Sequence, residues 1–253
     1  MAGLSKARSG SAASSAARAV RFDRLDALRG VAIVWMAVFH FCFDLGHFKL
    51  IQQNFYTDPF WTVQRAMIVS LFMFTAGVGQ AIALQQGQGW HRFWRRWAQI
   101  AGCAILVSAG SALMFPKSFI SFGVLHGFAV LLILVRLSQG AGAWLWWAGA
   151  LAIAMPHLVQ HVWFDTRWTN WIGLVTRKPI AEDYAPVLPW LGVMWWGLAS
   201  GRWILNRHPA WLTGSLPRAL SGFALLGRWS LSFYMLHQPV LIGSLLLLMA
   251  ALR

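Results

Sequence analysis

Apolar residues fall into seven runs along the chain, at about 28–45, 61–84, 94–115, 120–137, 142–161, 187–205 and 228–250, with short polar stretches between them. Each run is close to the roughly 20 residues that a helix needs to cross a bilayer. The pattern predicts an all-α, polytopic transmembrane helix bundle of about seven spans, folded as one domain over residues 21–253. The fourth and sixth runs are the shortest, and Trp168 to Val175 reads as a re-entrant or interfacial segment. Residues 1–20 are mainly Ala, Ser, Gly and basic residues with no continuous apolar stretch, which argues against a cleaved secretory signal and predicts a flexible basic cytoplasmic tail.

Composition strengthens the membrane reading. Hydrophobic residues make up 58% of the chain and charged residues 11%, against about 25% charged in a soluble domain. Seven acidic residues are too few to disperse a soluble surface of this size. The net charge of +14 would suit a nucleic-acid binder, but the basic residues sit between apolar runs, where they act as topology signals. Lys6, Arg8, Arg18, Arg21, Arg24, Arg29, Arg92, Arg95, Arg96, Arg136, Arg202, Arg207, Arg218 and Arg228, 14 of the 21, fall on one side. That split predicts a cytoplasmic amino terminus and a periplasmic carboxyl terminus. Cys42 and Cys103 lie inside apolar runs without metal-site spacing, and are expected to be free, buried thiols.

Ionisable groups inside a span cost about 2.5–3.5 kcal/mol each on insertion scales, so each needs a partner or a purpose. His40 and Asp44 are four apart, on one face of the first helix. A carboxylate at that spacing can hold one imidazole nitrogen and leave the other as a base; an interfacial His meeting water is the alternative. Asp26 and Arg29 are spaced to pair, and Gly30 beside them lets a neighbouring helix approach. His126, between Gly123 and Gly127, suits either core hydrogen bonding or a site wall. In the last run Pro239 is expected to kink the helix around His237, and polar groups at such a kink line cavities. His157 and His161 share a face, but no third ligand is evident, so no metal is expected. No phosphate-binding Gly-rich loop, Gly-x-Ser-x-Gly elbow or dinucleotide fingerprint occurs. The loop 162–186, with Asp165, Arg167, Arg177, Lys178, Glu182 and Asp183, fits a lid or substrate platform as well as a plain connector.

Four segments stand in order over most of the chain. They are Arg24-Leu-Asp-Ala-Leu-Arg-Gly-Val-Ala32 with Met36, His40 and Asp44; Phe122-Gly-Val-Leu-His126; Asp183-Tyr-Ala-Pro-Val-Leu-Pro-Trp-Leu-Gly192; and Leu226-Gly-Arg-Trp-Ser-Leu-Ser-Phe-Tyr-Met-Leu-His-Gln-Pro239. Together they resemble the bacterial members of the heparan-alpha-glucosaminide N-acetyltransferase catalytic-domain family. The Asp26-x-x-Arg29-Gly30 start, with His40 eleven residues after the Arg, is also similar to integral-membrane acyltransferases that O-acetylate cell-envelope polysaccharides. That resemblance implies a catalytic role for His40 and a role for Arg29 at the acyl-CoA site. Between Asn54 and Trp61 no His matches the active one that the lysosomal enzyme carries in its external loop.

The expectation is therefore an inner-membrane acyltransferase in contact with the lipid bilayer. It moves an acyl group, acetyl from acetyl-CoA, to a hydroxyl or amine of a sugar or glycan acceptor on the periplasmic side. His40 is the base or acyl carrier, Asp44 orients it, and His126 or His237 lines the cavity or polarises the carbonyl. Arg29, Arg95, Arg96 and Arg228 are expected to gather around the donor's phosphates. The same intramembrane His residues would serve as gates or proton relays in a transporter or channel, a reading that the lack of repeated halves disfavours. A non-catalytic scaffold is the third reading, and the oligomeric state is open.

Overall fold

The computed structural model describes residues 21–114, 119–179 and 183–252. The expected basic tail, Glu182 and Arg253 lie outside the described residues. Among the described residues there is no strand, only an isolated antiparallel bridge between Gly123 and Tyr184.

Each of the seven apolar runs forms a helix: α1 (Asp23–His47), α2 (Pro59–Gln85), α3 (Trp90–Met114), α4 (Val124–Leu137), α5 (Trp144–Leu158), α6 (Val187–Arg207) and, after the short α7 (Ala210–Thr213) and α8 (Ser221–Arg228), α9 (Ser230–Ala251). Three of these, α1, α2 and α9, are long and apolar enough to cross a membrane. The expected count of about seven is not reached by that measure, for two physical reasons. The helices α4 and α5 hold 14 and 15 residues, about 21–23 Å at 1.5 Å per residue, short of a hydrocarbon core about 30 Å thick. The helix α6 is long enough, but its Trp, Gly and Arg residues lower its mean hydropathy, whereas α3 is also long enough, gathers Arg92, Arg95 and Arg96 in its first turns and carries no charge from Trp97 on.

The bundle is organised around α2 and α6, with α5 on the outer side of α6, α4 joining α6 to α3, and α1 bridging α2 to α8 and α9. Close backbone approach is what brings the central pair together. A Cβ at Gly77 would run into the Met194 carbonyl, and one at Gly197 into the Phe74 carbonyl. The same device joins α1 to α8, where Gly30 faces the Phe223 carbonyl and Gly227 the Asp26 carbonyl, the role expected of Gly30. Met73, Leu131, Val135, Met194 and Leu198 fill the main core. A second, aromatic core of Met36, Phe39, Phe43, Phe55 and Ile68 closes the end where α1 gives way to α2. Leu236, Val240, Leu247 and Leu248 of α9 and Trp144, Trp147 and Leu151 of α5 are exposed. Large apolar side chains turned outward over whole helices suit a lipid-facing surface.

The helix α9 is continuous through Pro239, which follows His237 by two residues. One local expectation is corrected: Cys42 and Cys103 are free but only partly buried, each packing at the edge of a core cluster. The stretch Trp168 to Val175, expected as a re-entrant or interfacial segment, turns through a short 3-10 helix, Asn170–Ile172, then buries Leu174 and Val175.

The loop 159–179 is an ordered structure. Asp165 accepts from the Thr176 hydroxyl at 2.5 Å, the Thr176 amide at 2.8 Å and the Arg177 amide at 3.3 Å. Those bonds, that of the Thr176 hydroxyl foremost, hold its carboxyl below the usual carboxylate range. Burial pushes the Tyr184 hydroxyl above the ordinary phenol range, so it stays protonated and donates to the Asn170 carbonyl at 2.5 Å.

Candidate functional site

His40 of α1 meets His237 of α9, with Nδ1 of the first 2.7 Å from Nε2 of the second. The rings lie 5.0 Å apart and 20° from parallel. The other nitrogen of His237, Nδ1, stands 2.7 Å from the Tyr234 carbonyl oxygen, which can only accept. With both rings neutral, this fixes every proton in the pair. His237 Nδ1–H donates to Tyr234, its Nε2 must therefore accept, and His40 Nδ1–H must donate to it. His40 Nε2 is left bare, the state a general base needs.

Asp44 is buried, at 3% exposure, and accepts from the Gln238 side chain at 2.8 Å. The hydrogen-bond partner found at His40 Nδ1 is thus His237, one residue before the donor to Asp44. The helices α1 and α9 zip together through two successive polar pairs, His40 with His237 and Asp44 with Gln238. His126 has both ring nitrogens in use at the start of α4. Its Nδ1 accepts from the Gly123 amide at 3.2 Å, so Nε2–H donates to Ser108 at 3.1 Å while the Ser108 hydroxyl donates to the Ile120 carbonyl. That arrangement caps a helix and joins α3 to α4. These hydrogen bonds tie His126 into the junction of α3 and α4, and Gly127 beside it faces the Ala185 carbonyl.

Two cavities lie next to one another. The smaller, about 40 Å³, is lined by His40, Met36, Phe39, Arg65, Ile68, Val69, Phe72, Val124, Asp183, Tyr184 and Tyr234. The larger, about 280 Å³, is bounded by Arg29 and Arg96, has Gln80, Gln88 and Thr75 among its polar wall, and is otherwise walled by aromatic and aliphatic side chains including Phe93, Trp97, Phe128 and Leu132. Gln80 Oε1 is buried with no hydrogen-bond partner among the described residues. Arg29 and His40, eleven residues apart on α1, are separated by about 16 Å along the helix, so a cationic mouth and a bare imidazole stand at opposite ends of the paired chambers.

The four expected arginines divide. Arg29 and Arg96 line the larger cavity, whereas exposed Arg95 lines neither. Arg29 pairs with Asp26 at 3.3 Å, as its spacing predicts, and donates to the Thr75 carbonyl at 3.3 Å. Arg228 is held by Asp23 at 2.8 Å, with Asp26 at 3.8 Å, and closes α8 onto α1.

Three residues that the sequence reading did not assign to the candidate site, Arg65, Asp183 and Tyr234, line the cavity with His40. Arg65 puts a cation on the wall of the His40 cavity. Its signal was available, since it is a lone charge inside the second apolar run. Asp183 accepts from the Tyr234 hydroxyl at 2.5 Å and from the Val124 amide, the first of α4, at 3.2 Å. Both residues lie within quoted segments, but nothing in their spacing announces a contact across 51 positions.

A protein-family model described as heparan-alpha-glucosaminide N-acetyltransferase, catalytic, matches residues 21–239. No curated protein and no solved structure matches the chain.

Proposed function

The chain belongs to the heparan-alpha-glucosaminide N-acetyltransferase catalytic family, an acetyltransferase family, and from that premise we propose a membrane acyltransferase that uses His40 as its base. Its donor is acetyl-CoA, and its acceptor is the hydroxyl or amine of a sugar on the periplasmic face of the inner membrane. The bundle sits in that membrane with its amino terminus in the cytoplasm. The single observation that carries the reading is the 2.7 Å contact of His40 Nδ1 with His237 Nε2 beside a cavity that His40 lines; with both rings neutral, that contact leaves the proton off His40 Nε2.

The residues fit the donor. Arg29 and Arg96 offer cations to its phosphates at the mouth of the larger chamber, apolar walls suit its arm, and Gln80 Oε1 is a buried acceptor suited to an amide donor on that arm. When bound, the donor supplies an activated acyl thioester. His40 Nε2 takes the proton from the acceptor as its oxygen or nitrogen bonds to the acyl carbon. The carbon–sulfur bond then breaks, and His40 returns the proton to the departing thiolate. His237 holds the ring in place through Nδ1, and Arg65 offers positive charge where the carbonyl oxygen becomes negative.

Purified full-length protein in sealed lipid vesicles, given acetyl-labelled acetyl-CoA on one side and glucosamine on the other, is expected to acetylate the amine across the bilayer. Labelled donor that is neither transferred, hydrolysed nor attached to the protein overturns the reading. Arg29→Ala is expected to raise KM for acetyl-CoA by about ten- to a hundredfold, since a charge-assisted contact contributes roughly 1.5–3 kcal/mol, with kcat little changed. Asp26→Ala is the control for the ion pair. Equal losses of heat stability in both variants, with KM unmoved in each, would reduce Arg29 to a structural role.

A further inference from the structure

The two chambers share Phe72, Val124 and Tyr234 and no other lining residue. These three residues stand between the chamber lined by Arg29 and the chamber lined by His40. Two of them are tied in place by one carboxylate. The Tyr234 hydroxyl donates to Asp183 Oδ2 at 2.5 Å, and the Val124 amide donates to the same oxygen at 3.2 Å. The backbone of Tyr234 is tied as well, because its carbonyl accepts from His237. Phe72 completes the partition without any hydrogen bond and packs against the aromatic core of Met36, Phe39 and Ile68.

The space beyond the partition is small. At about 10–15 Å³ for each water-sized group, a chamber of about 40 Å³ takes roughly three such groups. An acetyl group has three heavy atoms. A butyryl group adds two methylenes, and Phe39, Ile68, Val69 and Phe72 stand in the wall where they would go. The larger chamber, about seven times the volume, lies on the other side of the same partition, so the limit falls on the acyl group and not on the arm that carries it.

Resting on the acyltransfer reading, the geometry points to Phe72 and Tyr234 as specificity-determining residues that confine the transferred group to a two-carbon acyl chain. The chemistry is unchanged: the acyl carbon–sulfur bond breaks, the bond to the acceptor oxygen or nitrogen forms, and with water as acceptor the products are acetate and the free thiol of CoA. Selection arises from the volume left beyond the partition when the thioester reaches His40. Removing the Phe72 ring joins the two chambers and gives a longer chain somewhere to fold back.

The test is the release of CoA thiol by the full-length protein in lipid, with acetyl-, butyryl- and hexanoyl-CoA as donors and glucosamine or water as acceptor. Wild type is expected to favour acetyl over butyryl at least tenfold in kcat/KM, as one or two methylenes in an apolar pocket ordinarily allow. Phe72→Ala is expected to bring that ratio within about threefold, mainly by raising butyryl turnover. Phe72→Leu and Val124→Ala, milder changes in the same wall, are expected to move it part of the way and to serve if the Ala variant does not fold. Tyr234→Phe, which removes only the bond to Asp183, is expected to raise release to water relative to glucosamine. Leu131→Ala, in the main core, is expected to lower heat stability and leave the ratio alone. A ratio unchanged in every partition variant, or a wild type indifferent to chain length, overturns the selection while leaving acyl transfer standing. A wild type that releases no thiol from any donor overturns both.

Discussion

His40→Ala is expected to lower acetyl transfer by about 10²- to 10⁴-fold, the usual loss when a positioned general base is removed. Acetyl-CoA binding and helix content should stay near wild type, because the cationic mouth lies about 16 Å away along α1. The half-buried ring leaves a small void when truncated, and its only described hydrogen bond is to His237. Loss of rate should therefore appear in kcat, with KM for the donor little changed. In the wild type, activity should fall as the pH drops, since a protonated imidazole cannot accept the acceptor's proton. A residual rate in His40→Ala that no longer falls in acid would confirm that His40 is the titrating group. Near wild-type turnover in that variant would remove His40 from the mechanism and turn attention to His237. His126 is a poor substitute, because Gly123 and Ser108 already engage both of its nitrogens.

The helices could be read from the chain because a run of apolar residues of fixed length carries its own signal. The spans could not be counted the same way. Each of the seven runs became a helix, yet α4 starts only at Val124, after the turn that Gly123 and His126 cap, and that delay makes it short. Local chemistry was also legible where both partners sit on one helix, as with Asp26 and Arg29. It was illegible where the partners come from distant elements. The spacing of His40 and Asp44 suggests a pair within α1, but α9 packs beside it and supplies His237 and Gln238 to the two residues in turn. Nothing in the order of residues says which helix becomes α1's neighbour. Asp183 shows the same limit, since its partners Tyr234 and Val124 come from α9 and α4.

His237 is the residue whose role changes most once the helices are placed, and its substitution should separate orientation from catalysis. Replacing it with Ala removes the acceptor at His40 Nδ1, so the ring can place its proton on either nitrogen and rotate within the cavity. A lost orienting partner that leaves the wrong tautomer can cost as much as about 10⁴ in rate. Here a loss of about 10² is expected, because the ring keeps its contact with Phe39. His237→Gln should restore most of the activity, to within about tenfold of wild type, because its side-chain carbonyl can accept from His40 Nδ1–H in the same way. Rescue by Gln is the outcome that only a positioning role predicts, since Gln cannot titrate between pH 5 and 8. If His237 were instead the base, Gln and Ala would be equally inactive and the fall in acid would vanish in both. If it only packed α9 against α1, both variants would lose heat stability in step with activity, and His237→Gln would keep the wild-type pH profile at a rate set by the fraction still folded.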